Sequence, residues 1–244
     1  MSGVAIVTGG AGSLGSAIVE ELVARGHRVV LAYRNRENEA AGLVERLGGP
    51  EHVRAVKADL GDADAAATIV GAACLAFGLP TILVNNAGMM TNTTVEHMTD
   101  EQWNDSLTIN LTAAFRLSRE VIPFMREAQA GRIVNISSQA AYRGSAGRAH
   151  YAASKAGMLG LTYSLARELG PDAITVNAVV PGRFMSDMLS NHMDGKEEAW
   201  LEATPLGRFG RPAELASAVG FLASDEASYI TGATLQVGGG LVMG

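Results

Sequence analysis

The chain has 244 residues, and 19 Lys+Arg against 25 Asp+Glu leave a formal net charge of −6 at pH 7. That balance excludes nucleic acid or an anionic membrane surface as a partner, because both call for a basic face. Hydrophobic residues at 48%, charged residues at 18% and 29 glycines, where an average share of about 7% would give roughly 17, exclude disorder and fit one large α/β domain over residues 1–244.

The first apolar run, Val4–Val7, leads straight into Thr8-Gly-Gly-Ala-Gly-Ser-Leu-Gly15 and then a helical pattern from Ser16 to Ala24. A glycine-rich turn between strand and helix is the setting of a dinucleotide-binding site. Its glycines permit a tight turn, and the helix N-terminus offers N–H groups to a pyrophosphate. A strand-to-helix turn without ligand is the plainer reading. A nucleophile elbow at Ala11-Gly-Ser13-Leu-Gly15 is disfavoured, because a Ser so early in the chain leaves no strands ahead of its own to build an oxyanion hole. The N-terminus has no basic flank or long apolar stretch of a signal peptide, which predicts a cytoplasmic protein.

The second run, residues 28–33, ends in Arg34-Asn-Arg36, with no acid before Glu37. NAD-binding folds place a carboxylate here for the ribose hydroxyls. Guanidiniums suit a 2′-phosphate instead, so NADP(H) is favoured over NAD(H), against the plainer alternative of a solvated turn. A third run spans 53–58. The apolar stretch 65–80 carries the lone Cys74, which reads as core, and it stops at Pro80, short of the ~20 residues a bilayer requires. The fourth run spans 81–86, and Thr99-Asp-Glu-Gln102 matches a helix capping box.

The fifth run, 132–137, ends in Ser137-Ser138, and thirteen residues after Ser138 comes Tyr151-Ala-Ala-Ser-Lys155. The i, i+4 spacing puts phenol and ammonium on one helix face. Bringing a phenol from about 10 to about 7 takes roughly 4 kcal/mol. A lysine charge ~5 Å away supplies about 3 kcal/mol at an effective dielectric of ~20. By itself such a pair is common on helix surfaces. Arg143, Arg148 and His150 lie between Ser138 and Tyr151, where an Arg can meet a substrate carboxylate or simply face solvent or a subunit interface.

A sixth run spans 174–180 and a seventh 234–237. Between them, residues 182–211 break the rhythm with Met185, Met188, Leu189, Met193 and Trp200, and read as a substrate lid. Met89 and Met90, with the lid methionines, read either as pocket lining or as core. Pro212 suits a first helical position. The runs are continuously apolar and separated by helix-length segments, which predicts βαβ units around a parallel sheet covered on both faces. The His and Cys residues show no ligand spacing, so no metal is expected.

Taken together, Thr8-Gly9…Gly15, Asp59-Leu60, Asn85-Asn-Ala-Gly88, Asn110, Ser138, Tyr151-x-x-x-Lys155 and Pro181-Gly182 resemble the short-chain dehydrogenase/reductase family along nearly the whole chain. The resemblance implies a Rossmann-type, doubly wound α/β fold with a seven-stranded parallel sheet. It also implies hydride transfer between a carbonyl and a secondary alcohol. Gly9, Gly12, Ser13, Leu14 and Gly15 would cradle the cofactor, and Arg34 would meet its 2′-phosphate. Asp59 and Leu60 would lie beside adenine, and Asn86, Ala87 and Gly88 would line the cleft. Pro181, Gly182 and Ser186 would sit at the nicotinamide.

It assigns Tyr151 as general acid/base and Ser138 as the group orienting the carbonyl. Lys155 would lower the tyrosine pKa and bind ribose hydroxyls, and Asn110 would hold a relay water. A homotetramer is also implied. Three departures stand out: Gly12-Ser13 where the family has its second Gly at 13, Arg183 and Ser186 in the Pro-Gly-x-x-x-Thr motif, and Gly238 where Asp is frequent. Within the family the chain is most similar to bacterial 3-oxoacyl-acyl-carrier-protein reductases. Those dock an acidic carrier through basic residues, one of them just before the sixth strand, where this chain has Asp172. A free small carbonyl compound is therefore the favoured substrate, and a non-catalytic dinucleotide-binding regulator is the alternative of another class.

Overall fold

A computed structural model describes residues 3–186, 195 and 197–243. Among them, strands β1 (Val4–Thr8), β2 (Arg28–Tyr33), β3 (Val53–Lys57), β4 (Pro80–Asn85), β5 (Gly131–Ile136), β6 (Ile174–Pro181) and β7 (Thr234–Val237) form one sheet in the order β3-β2-β1-β4-β5-β6-β7. Every neighbouring pair is parallel. Each predicted run is a strand, with ends moved by at most one residue.

The helices are α1 (Ser13–Ala24), α2 (Glu37–Arg46), α3 (Ala65–Phe77), α4 (Asp100–Leu107), α5 (Ala113–Ala128), the single turn α6 (Ala140–Arg143), α7 (Ala149–Leu169), α8 (Glu197–Glu202) and α9 (Pro212–Leu222). Alternate strand residues enter different cores, as the two-residue strand period dictates. Ala5, Val7, Val29 and Leu31 join Ile18 and Leu22 of α1, Leu43 of α2 and Leu215 and Val219 of α9. Val4, Ile6 and Val30 face Ile69 of α3, Leu117 and Val121 of α5 and Leu165 of α7. This is a Rossmann-type α/β sandwich in one domain.

Local signals act where they were read. Gln102 N donates to Thr99 Oγ1 at 3.2 Å while Thr99 N donates to Gln102 Oε1 at 3.1 Å, closing the capping box of α4. Pro212 opens α9, and Arg211 N donates to the Glu214 carboxylate at 2.8 Å. Helix α1 starts at Ser13, three residues ahead of the predicted start, so the glycine turn is shorter than it reads in sequence. Cys74 is only partly buried, packed against the α3 side of the core. No helix of the described residues is long and apolar enough to cross a membrane.

The ends of the 182–211 segment are tied together. Phe184 bridges Gly210, and Gly210 N donates to Arg183 O at 2.9 Å. Met188, Leu189 and Met193 lie outside the described residues.

The burial pattern sets a contrast between two apolar side chains. Ile133 in β5 is fully buried, whereas Leu75 on α3 is 91% exposed. Ile133→Ala is expected to lower unfolding free energy by about 2–5 kcal/mol, and Leu75→Ala to change it by less than about 0.5 kcal/mol. Urea unfolding of the two variants measures the difference.

Candidate active site

The order β3-β2-β1-β4 reverses at the β1/β4 boundary, and in such sheets a crevice opens at the strand C-termini. Here the two strand ends are fastened by side chains. Thr8 Oγ1 accepts from Asn86 N and Ala87 N at 3.0 Å each, and Asn86 Nδ2 donates to Thr8 O at 2.9 Å and Gly9 O at 3.3 Å. Gly9 has φ +63°, and a Cβ on Gly15 would lie 2.1 Å from Gly9 O, so both positions demand glycine. Gly12 does not: a Cβ there meets only Gly9 O at 3.4 Å. Ser13 is the first residue of α1 and needs no special backbone. The Gly12-Ser13 departure therefore costs the turn nothing sterically.

Two adjoining cavities open at this edge. The first, about 390 Å³, is lined by Gly9, Gly12, Ser13, Leu14, Gly15, Arg34, Asp59, Leu60, Asn86, Ala87, Gly88 and Ser186, all named from sequence. The first turn of α1 presents N–H groups that no intrahelical carbonyl can accept, and the residues facing them fit an anionic dinucleotide. Arg36 lines the same space. Met89, read from sequence as either pocket lining or core, lines it as well; Tyr33, Asn35 and Ile109 also do, and nothing in their local pattern marks them. Arg34 Nη1 lies 3.8 Å from Asp59 Oδ2, with both side chains largely solvated, a contact of little energetic weight.

The second cavity, about 350 Å³, brings together Ser138, Tyr151, Lys155, Pro181, Gly182 and Ser186. Ser138 and Ser137 follow β5; Ser137 Oγ donates to Lys155 O at 2.8 Å and fixes the strand end to α7. Tyr151 and Lys155, one turn apart on α7, are buried and face the cavity together, the Lys155 Nζ 5.9 Å from the Tyr151 ring centroid. The Ser138 hydroxyl, which accepts from Ala140 N at 3.1 Å, lies beside the Tyr151 phenol and favours its ionised form.

The enoyl-(acyl carrier protein) reductase family profile matches residues 9–242. The chain belongs to the short-chain dehydrogenase/reductase family. It is 42% identical over 240 residues to the 3-oxoacyl-acyl-carrier-protein reductase FabG of Salmonella typhimurium, spanning 98% of this chain and 97% of that protein. The Escherichia coli FabG is 41% identical over the same shares. Identity to FabG of Staphylococcus aureus is 38% over 241 residues, 98% of each chain. Family membership makes the chain an oxidoreductase that uses a nicotinamide dinucleotide.

Within this family frame the electrostatics are specific. Burial raises Tyr151 above the ordinary phenol range, and the opposing influences are the Ser138 hydrogen bond and the positive charge of Arg148. Lys155 is pulled down to about 8 by burial, and its Nζ donates to Ile136 O at 2.9 Å. After Ser138, the group that lowers Tyr151 is the charged Arg148, which in sequence stood only among the residues bordering the substrate. Asn110, buried in a π turn (Thr108–Thr112) between α4 and α5, uses its amide on Met89. Oδ1 accepts from Met89 N at 2.8 Å, while Nδ2 donates to Met89 O at 3.0 Å and to Ser106 and Ser154 hydroxyls at 3.2 Å. π turns recur at functional sites because they re-aim one residue. Here the turn puts Asn110 against the loop after β4. His150 lies behind this layer, bonded to Thr91 at 2.7 Å.

Gly182 has a packing role as well. A Cβ there would come within 2.6 Å of Gly238 Cα, so the two glycines let β6 and β7 end in contact. That gives Gly238 a reason the sequence did not supply.

Burial of Lys155 makes a pH prediction. Its native pKa near 8 lies below the ordinary 10.5, so the unfolded chain binds more protons in between and stability rises with pH over that window. Comparison of wild type with Lys155→Met cancels the other groups. The wild type should gain about 3 kcal/mol on the variant between pH 7 and pH 10.5, measured by denaturant unfolding at each pH.

Proposed function

We propose that this chain is an NADP(H)-dependent oxidoreductase that interconverts a small carbonyl compound and a secondary alcohol, with Tyr151 as general acid/base. The observation that carries this reading is the convergence of the Ser138 hydroxyl, Tyr151 phenol and Lys155 ammonium on one cavity beside the one lined by the glycine turn. A bound nicotinamide dinucleotide supplies the hydride in reduction and takes it in oxidation. Ser138 holds the substrate carbonyl oxygen by a hydrogen bond, and Tyr151 delivers a proton to that oxygen as its carbon gains the hydride. Lys155 keeps a positive charge near the phenol and offers N–H donors to ribose hydroxyls. Asn110, by holding the Met89 backbone, positions the loop between cofactor and substrate and supports a proton relay toward Lys155.

In this reading Gly9, Gly12, Ser13, Leu14 and Gly15 receive the pyrophosphate, Asp59 and Leu60 flank adenine, and Asn86, Ala87 and Gly88 line the cleft. Pro181, Gly182 and Ser186 sit at the nicotinamide. The preference for the phosphorylated cofactor rests on Arg34 and Arg36 at the β2 end of the first cavity, where Asp59 is the lone acid among the described lining residues. Residues 182–211 act as the lid of the single domain. A homotetramer is supported by exposed Trp103, Phe115 and Tyr163 on α4, α5 and α7, and a cytoplasmic setting by the single free thiol.

A carrier-bound 3-oxoacyl substrate is the second reading, favoured by the names of the relatives at 38–42% identity. Against it stands the acid at 172, which pairs with Arg126 at 2.7 Å, on a chain of net charge −6; like charges oppose docking of an acidic carrier. Comparing kcat/KM for an acetoacetyl carrier protein with that for free ketones separates the two.

Tyr151→Phe is expected to reduce kcat by about 10²- to 10⁴-fold, while calorimetry finds NADPH still bound. A variant retaining most of its turnover would overturn the assignment. The wild type should bind NADPH more tightly than NADH, and Arg34→Gln should shrink that preference about tenfold or more. Equal or tighter NADH binding by the wild type would sink the cofactor assignment.

A further inference from the structure

The second cavity carries a charge excess that carbonyl reduction does not use. Besides Lys155, three guanidiniums line it: Arg143 and Arg148, from the stretch between Ser138 and Tyr151, and Arg183, just beyond β6. No carboxylate lines it among the described residues, although acids outnumber bases in the chain.

The three arginines are held by neutral acceptors. Arg143 Nη1 donates to Leu241 O at 3.4 Å, and Arg148 Nε donates to Asn92 Oδ1. Arg183 Nη1 donates to Trp200 O at 2.8 Å and Thr204 Oγ1 at 3.5 Å, with its guanidinium 5.2 Å from the Trp200 ring centroid. None of the three forms an ion pair with a described carboxylate. Burial disfavours the charged form of Arg148 and Arg183, and Arg143 disfavours it further at Arg183. Like charges gathered at a cleft without counter-charge make an anion receptor, and a planar guanidinium matches a carboxylate with two parallel hydrogen bonds.

We propose that the substrate is a small oxo acid, or the corresponding hydroxy acid, whose carboxylate is received by Arg143, Arg148 and Arg183 while Ser138 and Tyr151 hold its carbonyl oxygen. The proposal rests on the carbonyl reductase reading and adds the substrate class to it. Arg148 and Tyr151 line the same cavity, and the Arg148 charge is felt at the Tyr151 phenol. Space points the same way. The cavity holds about 350 Å³ and shares Leu14, Asn86, Gly88 and Ser186 with the cofactor cavity, so the nicotinamide end takes part of it and a short acid fits better than a long acyl chain.

The test uses 2-oxobutanoate, acetoacetate and levulinate, each beside its methyl ester, with wild type and the double variant Arg143→Met/Arg148→Gln. NADPH oxidation provides kcat/KM, and calorimetry follows binding of the acids to protein saturated with NADP⁺. For at least one pair the wild type should favour acid over ester by about tenfold or more. The double variant should cut that ratio about 10- to 100-fold and weaken acid binding by a similar factor. NADPH affinity reports whether the variant is folded.

Wild-type preference for every ester, or an equal fall for acid and ester in the variant, would overturn the anion subsite, the latter showing that the arginines act through Tyr151 alone. The two layers fail differently. Arginine-dependent acid binding without turnover of any carbonyl compound leaves the subsite and removes the reductase reading. Turnover of esters with no acid binding does the reverse.

Discussion

The close approach of two backbones at the β1/β4 boundary is the constraint from which the rest of the site follows. Thr8 accepts both N–H groups of the turn after β4, and Asn86 returns its amide to the carbonyls of Thr8 and Gly9. With these bonds made, the strand ends cannot close over the crevice that the reversal of strand order opens. The α1 N-terminus is thereby held against it through Gly15, where even a methyl group would strike Gly9 O. The first cavity is a product of this clamp more than of any one motif.

Beyond the clamp, the site is shaped by desolvation. Tyr151 and Lys155 are both taken out of water, and burial pushes each toward its neutral form. A neutral phenol is a ready proton donor for an alkoxide, whereas a proton acceptor requires the anion, which only neighbouring positive charge can stabilise. Arg148 is the positive charge that bears on that phenol, and it shares the cavity with Arg143, Arg183 and Lys155, with no acid among the described lining residues. Under the proposed function, the Arg148 charge that favours the phenolate would also favour an anionic substrate, so catalysis and specificity would draw on one charge distribution within an acidic protein.

Much of the fold was legible because its signals are local. The seven apolar runs, the capping box at Thr99 and the proline opening α9 act through backbone geometry and nearest neighbours, and each stands where it was read. The gathering of the glycine turn and the β4 loop at one cavity was legible because a glycine turn after a strand has few structural uses. Tyr33 and Ile109 were not legible, since they reach the first cavity only because strands and loops distant in sequence end at one sheet edge. Gly238 carried no message until β7 lay beside β6.

The sequence by itself determined the parallel α/β architecture, the glycine turn and the one-face spacing of Tyr151 and Lys155, because these follow from residue periodicity and from steric rules that hold within a few residues. Only the tertiary structure decided what surrounds that pair. It directs the Lys155 ammonium to Ile136 O, commits the Asn110 amide to Met89, and adds Arg183 to Arg143 and Arg148 around one space. The reason is physical: burial and electrostatic neighbourhood depend on which distant segments the sheet order brings together, and no local pattern encodes that.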